Sequence, residues 1–190
     1  VNLNDNGSAG LSSNDIDNGS YDDCGRIVDL DLDLTSFDCT DIGNNTVTMT
    51  ATDNSGNTNT CTATVTVVDA GVPIALCQDL TINLDDTGNA VISTNDVDNG
   101  SSDLCGLSNL SLDNTSFSCI DVGSNIVTLT ATDLGSNTNT CTAIVTVVDI
   151  APPTALCQDL SIELDESGSA SLTAEELNNA SVDGCGIANV

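Results

Sequence analysis

The stretch from Ser124 to Asp149, SNIVTLTATDLGSNTNTCTAIVTVVD, decides the fold. In its first half Val127, Leu129 and Ala131 face one way and the intervening threonines the other. In its second half Cys141, Ala143, Val145 and Val147 repeat that pattern. A period of two is the signature of a half-buried strand, because successive side chains of extended backbone point to opposite faces. β-Branched Val, Ile and Thr suit such a pleated surface. Two strands are therefore predicted, over 125–133 and 141–147.

The same stretch occurs earlier, from Asn44, as NNTVTMTATDNSGNTNTCTATVTVVD. Residues 76–98, LCQDLTINLDDTGNAVISTNDVD, return from Leu156 as LCQDLSIELDESGSASLTAEELN. Cys39, Cys61 and Cys77 recur one period later as Cys119, Cys141 and Cys157, and Cys24 recurs at Cys105 and then Cys185. Self-similarity at a fixed period marks a tandem array. The expected organisation is a module at 1–70 lacking its first strand, a complete module at 71–150, and the N-terminal half of a third at 151–190. On that register the array is expected to continue in both directions.

Within the complete module, Leu80, Ile82 and Leu84 alternate as on a strand, and Asp85-Asp-Thr-Gly88 reads as a hairpin turn with a return strand over 90–93. Thr94 to Gly100 carries no strand signal. In the third copy Thr173 is followed by Glu176, a capping-box spacing that predicts one helical turn. A further strand is expected at 107–112, leading to Phe117 and Cys119. Short strands punctuated by turns predict an all-β fold of tandem immunoglobulin-like sandwiches, each about 80 residues long.

Charge excludes several functions. The formal net charge is −28, with Arg26 the only basic residue and no histidine. Nucleic acid is excluded because nothing would neutralise phosphates, and anionic lipid is excluded likewise. No apolar run is long enough to span a membrane. Divalent cations are the natural counterions of so acidic a chain. Catalysis is disfavoured because no His or Lys supplies a base near neutral pH, and Tyr21 alone makes no sugar platform.

Nine cysteines, without histidine or a C-x-x-C spacing, point to disulfides and an oxidising compartment rather than zinc. In an immunoglobulin-like topology the first and last strands both begin at the N-terminal pole, so Cys77 is expected to bond Cys141. Cys105 and Cys119 would then close the intervening loop, as would Cys24 and Cys39. Loop closure gives about 4 kcal/mol for the long loop and about 3 for the short one. The rival pair Cys61–Cys77 would span most of two strand lengths.

The pattern G-x-N-x-V-T-x-T-A-T-D, followed by C-x-A-x-V-T-V-V-D, at Gly43 to Asp69 and again at Gly123 to Asp149, resembles the hyalin (HYR) repeat. The variant carrying L-C-Q-D-L, N-D-x-D-N-G-S and C-G resembles repeat arrays of secreted or surface proteins of Bacteroidota-type bacteria. That resemblance implies an immunoglobulin-like module, arranged in tandem, extracellular and adhesive, with no catalytic residues. The aromatic that often follows the late cysteine is replaced by Thr62-Ala63 and Thr142-Ala143, and the Cys105/Cys119 pair is additional to the basic two-cysteine pattern.

Three sets of residues are candidates for binding. The acidic loop with Asp15, Asp17 and Asp22 recurs as Asp96, Asp98 and Asp103, and offers the carboxylate and carbonyl oxygens that calcium takes. The same residues equally suit a network of Asx-turns. At the module ends, Asp69 and Asp149, with Asp53 and Asp133, are candidates for a cation that stiffens the hinge; the other reading is strand-terminating Asp before a Pro-stiffened linker. Asn18, Asn99 and Asn179 head in-register glycan acceptor sequons, with Asn6, Asn44, Asn109 and Asn114 as further matches.

The function expected from these readings is a non-catalytic structural or adhesive segment of an extracellular fibre, stalk or surface adhesin. Its partners would be its own tandem copies or filament neighbours, with surface glycans or divalent cations besides. The alternatives are a strand-donating subunit of a pilus-like polymer and a glycan-binding module attached to a secreted enzyme.

Overall fold

The computed structural model describes residues 1–24 and 26–187. The first copy holds β1 (Ser8–Gly10), β2 (Ile27–Leu32), β3 (Ser36–Asp38), β4 (Gly43–Asp53) and β5 (Thr58–Val67). The second holds β6 (Leu80–Asn83), β7 (Asn89–Val91), β8 (Leu107–Leu112), β9 (Ser116–Ser118), β10 (Gly123–Asp133) and β11 (Thr138–Val148). One-turn helices α1 (Ser13–Ile16), α2 (Thr94–Val97) and α3 (Ala174–Leu177) sit at equivalent positions of the three copies.

Each of the first two copies is a sandwich. In the second, a sheet ordered β6-β11-β10-β8 faces the pair β7-β9; in the first, β2-β4-β5 faces β1-β3. The two predicted strands form an antiparallel pair, registered in the first copy from Gly43 opposite Val67 to Thr52 opposite Thr58. Their inward residues make the core: Val127, Leu129, Ala131 and Val145 are fully buried, and Val147 is 1% exposed. Burying each larger aliphatic contributes about 1.5–3 kcal/mol. In the first copy Phe37, Val47, Met49, Val65 and Val67 form the equivalent cluster.

The turn at Asp85 to Gly88 closes as expected, with the Asp85 amide donating to the Asn89 carbonyl and Gly88 at φ 76°. It does not, however, make a hairpin. β6 pairs in parallel with β11, Leu80 lying opposite Val145, whereas β7 pairs with β9 in the opposing sheet. A tight turn here therefore carries the chain from one sheet to the other.

The first copy keeps a remnant of the β6 position. Asn2 bridges Val68 in parallel, and the Leu3 amide donates to the Val68 carbonyl, as the Leu84 amide does to Val148. In the third copy residues 160–163, which correspond to β6, form no strand; no β11 equivalent lies beside them among the described residues. What persists there is the local turn at Asp165 to Ser169, α3, and the bridges Thr154–Val182 and Cys157–Asn178.

By compactness the chain divides into two units. One comprises Val1–Ala75, Gly100–Leu110 and Thr130–Thr140; the other comprises Leu76–Asn99, Ser111–Leu129 and the residues from Cys141 on. The first unit thus contains the first copy together with the segments of the second that meet it at the junction.

Candidate functional site

Disulfide connectivity follows strand direction. Cys77 precedes β6 and Cys141 lies early in β11; since these strands are parallel and in register, their Cα atoms come to 5.8 Å and the two are bonded. The expected pairs Cys24–Cys39 and Cys105–Cys119 are not formed. Instead Cys39 bonds Cys105 and Cys119 bonds Cys185, each with Cα atoms 5.1 Å apart.

The reason is geometric. β2 and β5 are both antiparallel to β4, so they run the same way. The Val1–Leu3 segment runs with β5, the turn after it reverses the chain into β1, and β3 is antiparallel to β1. β2 and β3 therefore run in one direction in opposite sheets. Cys24, before β2, and Cys39, after β3, lie at opposite ends of the sandwich and cannot meet. Cys39 sits at the end where the chain passes into the next copy, and there it finds Cys105. Cys24, Cys61 and Cys157 are exposed free thiols. Sequence reasoning missed the inter-copy bonds because it favoured the shorter loop, and the shared direction of β2 and β3, which rules that loop out, is set only by the tertiary fold.

The acidic loop residues are engaged in turns. The Ser12 hydroxyl and amide donate to Asp15 at 2.6 and 2.8 Å, closing the first turn of α1 and holding that carboxyl below its ordinary value. Ser93 does the same to Asp96 at 2.7 Å, and Thr173 to Glu176, with the same effect on each. Asp17 accepts from the Ser20 hydroxyl and amide, which lower its pKa as well. Asp98 ends α2, its amide donating to the Thr94 carbonyl. Asp103 accepts from the Cys105 amide at 2.8 Å, and Asp183 from Cys185, so these carboxylates shape the turns that present the bridging cysteines.

The second candidate set divides. Asp53 accepts from the Asn57 side-chain and backbone amides, which lower its pKa and close the β4–β5 turn. Asp133 receives the same two bonds from Asn137 and is 1% exposed. Asp69 and Asp149 accept from the amides of Gly71 and Ala151, two residues on. Of all the candidates, the structure brings together Asp69 and Asp103, one from each set, with ligating atoms within 4.8 Å of one another and of the Cys105 sulfur. That sulfur is in a disulfide and offers no thiolate. The pair borders a cleft of about 280 Å³ also lined by Asn4 and Asp5. Among the described residues no equivalent cluster forms at Asp149. Asn18, Asn99 and Asn179 are all exposed, as an acceptor must be.

Residues 25–67 match the HYR domain. That segment lies in the first copy of an all-β chain built of facing sheets. No curated protein matches the chain in sequence. Among solved structures the chain is similar to the protocadherin gammaB7 EC3-6 cis-dimer, at 18% identity and a TM-score of 0.35, covering 84% of this chain and 52% of that one. The protocadherin gammaB4 extracellular domain is similar at 17% identity and a TM-score of 0.33, over 80% of this chain and 29% of that one. An endo-fucoidan hydrolase of glycoside hydrolase family 107 is similar at 16% identity and a TM-score of 0.27, over 64% of this chain and 22% of that one. The chain thus spans about half the length of the first of these structures.

Proposed function

We propose that this chain is a non-catalytic structural and adhesive segment of an extracellular fibre or surface stalk, built from a module at 1–70 that lacks its first strand, a complete module at 71–150 and the N-terminal half of a third at 151–190. The observation that carries the reading is the bonding of Cys39 to Cys105 and Cys119 to Cys185, which ties each copy to the next covalently a second time. Such bonds persist in an oxidising compartment, and a stapled array favours persistence over turnover. The HYR match supports an extracellular, adhesion-type module. Limited proteolysis of the oxidised and reduced chain tests the structural role: the oxidised form should survive far longer, and equal rates would sink it. Beads coated with the chain should cluster if copies adhere to one another.

Divalent cations, calcium first, are the counterions we propose for a chain with 29 acidic residues and one basic one, with Asp69 and Asp103 as the ligand pair. Calcium titration followed by thermal melting tests this, and an unchanged melting temperature removes calcium as a partner.

A further inference from the structure

The three disulfides overlap in sequence. Cys77–Cys141 opens inside the loop closed by Cys39–Cys105, and Cys119–Cys185 opens inside the loop closed by Cys77–Cys141. Every residue between Cys39 and Cys185 therefore lies within at least one closed ring. Tension applied along the chain follows the shortest covalent path through these rings. That path crosses from Cys39 to Cys105, runs along the short backbone segment to Cys119, and crosses again to Cys185. With the bonds broken, the path is the whole backbone from Cys39 to Cys185.

We infer that the Cys39–Cys185 span is a covalently limited tether, its greatest length fixed by the disulfides even when the sandwiches unfold. A fully extended residue spans at most about 3.6 Å, so with its two bridge crossings of 5.1 Å each the oxidised span opens to about 60 Å, and the reduced one to about 530 Å. This limit is separate from stability. Cys77–Cys141 is off the shortest path, so breaking it weakens the second sandwich and leaves the maximum length unchanged. Breaking Cys39–Cys105 diverts the path through Cys77–Cys141. It then runs from Cys39 to Cys77 and from Cys141 back to Cys119, which is about four times as much extended backbone as before. The copies thus carry two classes of bond: one within a module that holds it folded, and one between modules that bears the load. Use of this limit in bearing load rests on the fibre reading above; the limit itself does not.

The test is single-molecule pulling of the full chain, with handles at its two ends and C24S, C61S and C157S substitutions to remove thiol exchange. Pulling in concentrated guanidinium makes the measured contour length independent of folding. Reduction should lengthen the Cys39–Cys185 span about ninefold. C39S with C105S should lengthen it about fourfold, and C77S with C141S should not change it. An oxidised chain as long as its C39S/C105S variant, or a C77S/C141S chain longer than its parent, would overturn the inference. Adhesion could fail on beads while this result stood, and the reverse, so the two readings are separable.

Discussion

Gly135 lies directly against Asp69. A methyl group on Gly135 would come within 2.8 Å of both the Cβ and the carbonyl oxygen of Asp69, and the neighbouring Asn137 side chain donates to that carbonyl at 2.9 Å. The equivalent turns of the two copies differ at this point. The β4–β5 turn is Asp53-Asn-Ser-Gly-Asn57 with Gly56 at φ 85°, whereas the β10–β11 turn is Asp133-Leu-Gly-Ser-Asn137 with Ser136 at φ 70°. The glycine has moved to the position where backbone packs closely, and a serine has been left in the left-handed slot. Gly135→Ala should destabilise the chain by about 1–3 kcal/mol through overpacking. Ser136→Gly should be neutral or stabilise it by about 0.5 kcal/mol, since relief of the left-handed strain is partly offset by unfolded-state entropy. Denaturant unfolding of both variants measures the contrast.

Loss of the intramodule disulfide should cost more than loss of any free thiol. The Cys77–Cys141 bond has a sequence separation of 64, for which chain entropy gives about 4 kcal/mol. Cys77→Ala should show most of that loss in chemical denaturation, while exposed Cys24→Ser should leave the midpoint unchanged.

The thin aliphatic core makes single truncations severe. Leu129 is fully buried between the sheets, and Leu129→Ala should cost about 2–5 kcal/mol. Exposed Ile126 on the same strand provides the control, because Ile126→Thr removes no core contact and should shift the midpoint little.

Acid should weaken the turns in a defined window. Asp15, Asp53, Asp85 and Asp96 all have carboxyls held below the ordinary 3.8 by hydrogen bonds from Ser, Thr or Asn. A lowered folded pKa means that the unfolded chain binds more protons, so this stabilisation is complete above about pH 5 and is lost as pH falls through the folded values. Ser93→Ala removes the hydroxyl that does most to lower the Asp96 pKa. The variant should therefore lose less stability than the parent as the pH falls from about 5 to about 2. Parallel acid dependence in the two proteins would count against the turn assignment.

Much of this was readable one residue at a time. The alternation of Val127, Leu129 and Ala131, the turn at Gly88 and the capping spacing of Thr173 and Glu176 each report a local preference, and local preferences survive in the fold. The candidate carboxylates were legible as acidic turns. The meeting of Asp69 with Asp103 was not, since a long stretch of chain and the boundary between two copies separate them.

Periodicity, propensity and repeat register are properties of neighbours along the chain, and by themselves they determined the sandwich strands, the repeat and its turns. Which cysteines bond, and which sheet each short strand joins, depended on where chain ends arrive in space. β2 and β3 run the same way, so Cys24 and Cys39 part company and Cys39 meets the next copy's Cys105. A bond that requires Cα atoms within about 6 Å is decided by strand direction and not by distance in sequence.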